Sequence, residues 1–254
     1  MLIEFCLPVK DEEKILEANA RRLMRYLTEE AGGYDWRVVI IVNGSTDKSA
    51  EIAGRLSSND GRFLTKALPR GGKGYALKEY FRQSQADILV FMDIDLAVSL
   101  ESVPGLVCPV ISGVADLTIG SRLMPGSCTD RSFWRSFTSR SYNFLSRLLL
   151  RHEFTDLQCG FKAIRRTAFD RIYPALNDDQ WFFDTELVIL ARRVGHLVTE
   201  MPVNWQENRY DDRKSKVHVF RDAWSFIASL VRLRRRLKTE KATILLSNDI
   251  EKKR

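Results

Sequence analysis

The chain has 254 residues, 44% of them hydrophobic, which suits one large globular domain or one domain with a small extension. No run of about 18 apolar residues occurs and no basic leader precedes an apolar run, so neither a bilayer span nor a signal peptide is expected. The net charge is +7, concentrated around Arg131–Arg151 and Arg209–Arg236, a balance that suits anionic lipid, phosphorylated substrates or nucleic acid.

The first half alternates strand-like and helical patterns. Leu2–Val9 reads as a strand. Glu12–Glu30 reads as a helix with Ile15, Leu16, Leu23, Tyr26 and Leu27 on one face. Trp36–Val42 is a continuous apolar run, the mark of a strand covered on both sides. Ser45–Leu56 reads as a helix opened by the capping residues Ser45, Thr46 and Asp47. Arg62–Ala67 is a short strand, Gly74–Ser84 a helix after a glycine-rich turn, and Ile88–Met92 the next buried strand. This β-α order predicts an α/β fold, a mostly parallel sheet flanked by helices. Ligands in such sheets sit at the carboxyl ends of the strands, just after Val9, Val42 and Met92.

The second half is less regular. Ala115–Gly120 reads as a strand. Phe133–Leu150 and Val217–Leu237 are basic and amphipathic, and the tail from about Thr239 is charged. In Val217–Leu237 the spacing groups Phe220, Ala223, Trp224, Ile227, Leu230 and Val231, with Arg221, Arg232, Arg235 and Arg236 away from them. Such helices either pack on a core or lie in a membrane interface. The expected organisation is a catalytic domain over 1–216, a basic amphipathic helix over 217–238 and a flexible tail over 239–254. Cys6, Cys108, Cys128 and Cys159 show no C-x-x-C spacing, so a reducing, cytoplasmic setting is expected.

Three short motifs carry chemistry. Ile88–Met92 runs into Asp93-Ile94-Asp95, two carboxylates that repel unless a cation sits between them. Mg²⁺ or Mn²⁺ bridging a diphosphate is the natural cation. Asn43-Gly44-Ser45-Thr46-Asp47 follows the second strand and offers polar contacts to a base or ribose, or simply a helix cap. Arg70-Gly71-Gly72-Lys73-Gly74 precedes a helix and suits phosphate, though without Walker spacing.

Taken in order, Leu7-Pro8-Val9-Lys10-Asp11-Glu12-Glu13, the Asn43 motif, Gly72-Lys73-Gly74, Asp93-Ile94-Asp95 and Gly120-Ser121-Arg122 resemble the family 2 inverting glycosyltransferases of the GT-A fold. Asp156–Lys162, Trp181–Leu187, Pro202-Val203-Asn204-Trp205 and Ser215-Lys216 are similar to dolichyl-phosphate glucosyltransferases and, less closely, to dolichyl-phosphate mannose synthases. The resemblance covers about residues 2 to 235. It implies transfer of a hexose from UDP-glucose or GDP-mannose to a polyprenyl or dolichyl phosphate. It also implies roles: Pro8, Lys10, Glu12, Asn43 and Lys73 toward the donor, and Asp93 and Asp95 toward Mg²⁺ or Mn²⁺. Arg122 then meets a donor or acceptor phosphate, while Arg135, Ser139, Gln158, Arg209 (or Arg213) and Lys216 serve the acceptor. Three departures stand out: Asp11 for asparagine, Val42-Asn43 for an acidic pair, and Ala97 for the glutamine that helps hold metal in the mannose synthases.

A lipid acceptor implies a protein that works peripherally on the cytoplasmic membrane face. The competing reading is transfer to a hydroxyl of a soluble or polysaccharide acceptor, which needs a base, and Asp184 and Glu186 are the candidates. Nucleic acid is not expected as a partner, because no binding motif accompanies the charge.

Overall fold

A computed structural model describes the backbone of residues 1–30, 33–130, 133–206 and 219–239, and the side chains of all of these except 130–137 and 219–224. Arg209, Arg213, Ser215, Lys216 and the charged tail lie outside the described residues, as does the side chain of Arg135.

Seven strands form the central sheet: β1 (Leu2–Val9), β2 (Asp35–Asn43), β3 (Phe63–Leu68), β4 (Ile88–Met92), β5 (Leu117–Ser121), β7 (Phe161–Arg165) and β8 (Val198–Pro202). Their order is β3-β2-β1-β4-β7-β5-β8. The pairs β1–β2, β2–β3, β1–β4 and β5–β8 are parallel; only β7 runs against its neighbours. Two short strands, β6 (Cys128–Asp130) and β9 (Asn204–Gln206), pair separately. This is the α/β architecture that the alternating pattern predicts. The apolar runs of β2 and β4 are buried on both faces, as continuous hydrophobic strands should be.

Among the described residues, eight helices flank the sheet: α1 (Leu16–Glu30), α2 (Ser49–Asn59), α3 (Lys73–Phe81), α4 (Val103–Ile111), α5 (Phe133–Leu150), α6 (Arg166–Ile172), α7 (Phe183–Arg193) and α8 (Val219–Thr239). α1 buries Leu16, Ala20, Leu23, Met24 and Leu27 at the expected spacing. One hydrophobic cluster lies under α1, α2 and α4; the other lies under α3, α6, α7 and the inner face of α8.

Two local expectations are corrected. Ser45, Thr46 and Asp47 do not begin α2, which starts at Ser49 behind Lys48. Asp47 still caps the helix, its Oδ1 accepting from Ser49 N–H at 3.0 Å, and the three also staple the loops after β1 and β2: Ser45 Oγ accepts from Asp11 N–H, Asp47 Oδ2 from Glu13 N–H, and Asp11 Oδ1 from Thr46 N–H. This pairing holds Asp11 in a left-handed conformation at φ 51°.

The grouping on α8 is also corrected. Leu230 and Leu233 are buried, with Phe226 and Leu237 packed beside them, so that face docks on the protein. Arg236 points inward as well, to Glu186 at 2.8 Å and to the Ala175 carbonyl at 2.7 Å. Ile227, Ala228 and Val231 line a groove on the other side with Arg232 and Arg235. The helix therefore has two apolar stripes, and the spacing that joined Leu230 to Ile227 merged them. Among the described residues no helix is long and apolar enough to cross a membrane.

Candidate active site

The site is assembled where the carboxyl ends of β1, β2, β4 and β5 meet the start of β7. Register decides its centre. Met92 pairs with Phe161, so the residue after β4, Asp93, lies against the residue before β7, Gly160. The approach is close: a Cβ on Gly160 would collide with Asp93 Oδ2 and stand 2.6 Å from Lys73 Nζ. A cleft there is lined by Asp93, Asp95, Arg122, Cys159, Gly160 and Trp205. The loop after Asp95 is held from outside by β9. Ala97 O accepts from Gln206 N–H, and Ser99 N–H donates to Asn204 O.

The cation that the two aspartates call for is partly built in. Lys73 Nζ lies 3.1 Å from Asp93 Oδ1 and 3.0 Å from Asp184 Oδ2. Lys162 Nζ lies 2.8 Å from the other Asp184 oxygen and also donates to the carbonyls of Leu157 and Cys159. A zigzag Asp93–Lys73–Asp184–Lys162 thus crosses the site floor. Burial works against the Lys73 ammonium, but the Asp184 and Asp93 carboxylates win and hold its pKa above the ordinary lysine value. Asp93 is pushed up, first by desolvation and then by Asp95 and Asp184, with Lys73 opposing. Asp95 Oδ1 accepts from Ala97 N–H at 3.1 Å, which turns the chain after the pair.

The glycine-rich turn is organised around protein rather than left open for phosphate. Gly74 N–H donates to Gln180 O and Tyr75 N–H to Asp179 O, so the first turn of α3 is capped by the backbone of 178–180. A Cβ on Gly74 would stand 2.5 Å from the Asp178 carbonyl. Arg70 and Lys78 clamp the same segment through the two oxygens of Asp179, at 2.7 Å each. Glycine here permits chain packing. Lys73 is aimed at the Asp93 and Asp184 carboxylates, where the sequence suggested a donor phosphate.

The remaining expected donor residues gather nearby. Lys10 is exposed after β1, with its stem and ammonium against Gly71. Pro8 is half-buried in β1, and buried Glu12 accepts the first backbone donors of α1 through its carbonyl. Asn43 is fully engaged: its amide donates to Val9 O at 2.9 Å, and its Oδ1 accepts from Gly72 N–H at 3.0 Å. It is a strut between β1, β2 and the glycine turn, which leaves its side chain little to offer a nucleoside.

Arg122 lines the cleft wall and is gripped by buried Asp156, through Nε at 2.6 Å and Nη2 at 2.9 Å. The guanidinium holds the Asp156 carboxyl below its usual range despite burial. Glu200 on β8 in turn accepts from the backbone N–H groups of Thr155 and Asp156. Gln158 donates to Thr185 Oγ1 at 2.6 Å and Tyr142 Oη at 3.3 Å, tying the 156–160 loop to α5 and α7. Ser139 lies three residues before Tyr142 on α5, and its carbonyl accepts from Asn143.

Asp184 and Glu186 are both buried and engaged. Asp184 is 1% exposed between two lysines. Glu186 accepts from the N–H groups of Asn177 and Asp178 and from Arg236. Neither presents an oxygen suited to taking a substrate proton. Asp156 and Lys162 bound a motif of the resemblance but had no role assigned by it, and Tyr142 and Glu200 carry no signal in the sequence; Lys162 lies in buried β7, where a charge is placed only with partners.

Comparison with known proteins follows this geometry. Residues 4–173 match the model of the family described as glycosyl transferase family 2. The chain belongs to that family. Glycosyltransferase AglD of Haloferax volcanii is 35% identical over 91% of this chain, which spans 36% of that protein. Dolichyl-phosphate beta-glucosyltransferase ALG5A of Trichomonas vaginalis is 27% identical over 85% of this chain and 68% of its own length. The chain thus spans between about a third and two thirds of these relatives. Among solved structures, the glucosyl-3-phosphoglycerate synthase of Mycobacterium tuberculosis in complex with UDP superposes with a TM-score of 0.64. It is 21% identical over 91% of this chain and 79% of its own, which establishes the GT-A fold for the family 2 domain.

Proposed function

We propose that the chain transfers glucose from UDP-glucose to the phosphate of a polyprenyl lipid, with inversion at the anomeric carbon. The observation that carries this reading is the engagement of Asp184 and Glu186. Transfer to a hydroxyl needs a base, and the two acids nearest that task are buried in ion pairs. A lipid phosphate monoester needs none, since its second pKa is near 6 and it is largely dianionic at pH 7. Its oxygen forms the new bond to C1 as the bond from C1 to the diphosphate breaks. The electron pair leaves on the nucleoside diphosphate, and no proton has to move.

Asp93 and Asp95 are the residues that would hold Mg²⁺ or Mn²⁺, and the ion would supply positive charge to the leaving diphosphate. Two carboxylates at the end of one strand fit a hard cation that takes its other ligands from phosphate and water. Arg122, with Arg135, Ser139 and Gln158, is placed by this reading on the acceptor side, and Arg209 and Lys216 belong with them by resemblance. Relatives named dolichyl-phosphate beta-glucosyltransferase support this choice of sugar and acceptor.

The acceptor is a membrane lipid, and α5 offers a surface suited to reaching it. Phe144 is 71% and Leu148 63% exposed, on a face shared with Arg140, Arg147 and Arg151. Apolar anchors among arginines favour an anionic membrane interface. The test is a transfer assay with UDP-glucose and GDP-mannose, each offered a polyprenyl phosphate and a soluble sugar hydroxyl. Glucose on the lipid phosphate as the β-anomer is expected. Efficient transfer to the soluble hydroxyl and none to the lipid would overturn the reading.

A further inference from the structure

Two of the three carboxylates on the site floor are already bonded by ammonium groups: Asp93 by Lys73, and Asp184 by both Lys73 and Lys162. The Arg122–Asp156 pair beside them is neutral in itself. Among the described residues, no group of three histidine, cysteine or acidic side chains stands at metal-ligand spacing. Mg²⁺ and Mn²⁺ call for about six oxygen ligands. Two carboxylates, one of them already bonded by an ammonium group, therefore hold a bare ion weakly.

Asp93 has little freedom to improve on this. One oxygen is bonded by Lys73, and the other is pressed over Gly160. Lys73 is equally confined, with Asp184 behind it and the rings of Phe91 and Trp181 at 5.4 Å and 5.6 Å. The ammonium thus takes up much of the negative field that a divalent cation would otherwise find. A nucleoside diphosphate brings several negative oxygens of its own and reverses that balance.

We infer that Lys73 is a positioning residue that sets the order of assembly, so that the divalent ion enters with the nucleotide diphosphate and not ahead of it. The inference rests on the nucleotide-sugar reading above. It differs from a purely structural salt bridge in one respect. A lysine that serves only the fold leaves the gain in Mn²⁺ affinity on nucleotide binding unchanged when its charge is removed, whereas here that gain shrinks.

The experiment titrates Mn²⁺ into the full chain and follows the free ion by electron paramagnetic resonance, without nucleotide and with saturating UDP or GDP. The wild type is expected to bind Mn²⁺ at least tenfold more tightly with its nucleotide. Lys73→Met is expected to bind bare Mn²⁺ roughly tenfold more tightly than wild type, as loss of one nearby like charge implies. Lys73→Arg keeps the charge and should stay near wild type. The double variant Lys73→Met with Asp184→Asn removes one charge of each sign and should also return to wild type. Bare Mn²⁺ bound equally well by wild type and Lys73→Met overturns the inference. So does wild-type binding that ignores nucleotide, a comparison that needs no variant to fold. Failure of both UDP and GDP to bind at all overturns the functional reading instead.

Discussion

Asp93 Oδ2 rests directly over the Cα of Gly160, with no room for a side chain between the strand that ends at Met92 and the one that begins at Phe161. The contact joins the first half of the chain to the second at the point where the Asp93 and Asp95 pair projects. It predicts that Gly160→Ala damages function more than stability. The added methyl must displace either Asp93 or Lys73, and a displacement near 1 Å can cost about a hundredfold in rate. Calorimetry of nucleotide binding with Mn²⁺, alongside kcat/KM and Tm, checks this. A variant with normal metal-dependent binding would show that the contact is incidental.

Asp95→Ala is expected to abolish transfer and leave the fold intact. Its carboxylate leaves the like-charged neighbourhood of Asp93, and that relief offsets the lost hydrogen bond from Ala97 N–H. The check is transfer in excess Mn²⁺ and in EDTA, beside a thermal melt. Full activity of the variant, or of wild type in EDTA, contradicts the assignment of the pair.

Glu186 and Arg236 attach α8 to the core through a largely buried ion pair at 2.8 Å. Removing one partner of such a pair leaves an uncompensated charge and costs about 3–5 kcal/mol, while removing both costs less. Glu186→Gln and Arg236→Leu should each lower stability, and the double variant should recover part of the loss. Urea unfolding of the four proteins gives the coupling energy. Additive effects would mean that the pair contributes nothing as a pair.

Phe144→Asp with Leu148→Asp should abolish flotation with anionic liposomes and leave soluble nucleotide binding unchanged. Binding of the wild type should weaken as salt rises, because surface arginines each contribute about 1 kcal/mol at an anionic leaflet. Arg232 and Arg235, at the outer groove of α8, are the residues to neutralise there, since Arg236 is occupied by Glu186. Flotation that survives the double substitution places the membrane contact elsewhere.

His152 links stability to pH. Burial and then the positive charge of Arg147 hold its pKa down to about 4, against an ordinary value of 6.5, with Glu153 opposing. Below 6.5 the unfolded chain takes up a proton that the folded chain refuses. The stability contribution is therefore complete above 6.5 and is lost as pH falls toward 4. His152→Gln keeps a polar partner for Ser146 and should flatten that slope, measured by thermal unfolding between pH 7 and pH 4. An unchanged slope assigns the acid sensitivity to other groups.

Much of the fold was legible because its signals are local. Trp36–Val42 and Ile88–Met92 announce buried strands by continuous apolar runs, and the acidic pair follows the second directly. The site was half legible. Asp93 and Asp95 are two residues apart in sequence, but the ammonium bonded to Asp93 comes from Lys73, and its second carboxylate, Asp184, lies 111 residues further on. No periodicity encodes such a meeting. Gly72-Lys73-Gly74 was ambiguous for a related reason: close approach to a phosphate and close approach to another stretch of backbone demand the same residue. The two stripes of α8 were merged because a wide apolar arc on a helix does not say which part meets the protein.

The seal of residues 178–180 over the first turn of α3 bears on how the chain can be made. The region matched to the family ends at residue 173, before that seal and before Asp184. A nascent chain that has emerged only so far holds β1 to β5 and β7, yet its α3 has open backbone donors. Lys73 and Lys162 are then two ammonium groups in want of the carboxylate they share. The segment that completes the site thus leaves the ribosome after β1 to β5 and β7, and release of the chain before Asp184 should yield a protein without a working centre rather than a partial enzyme.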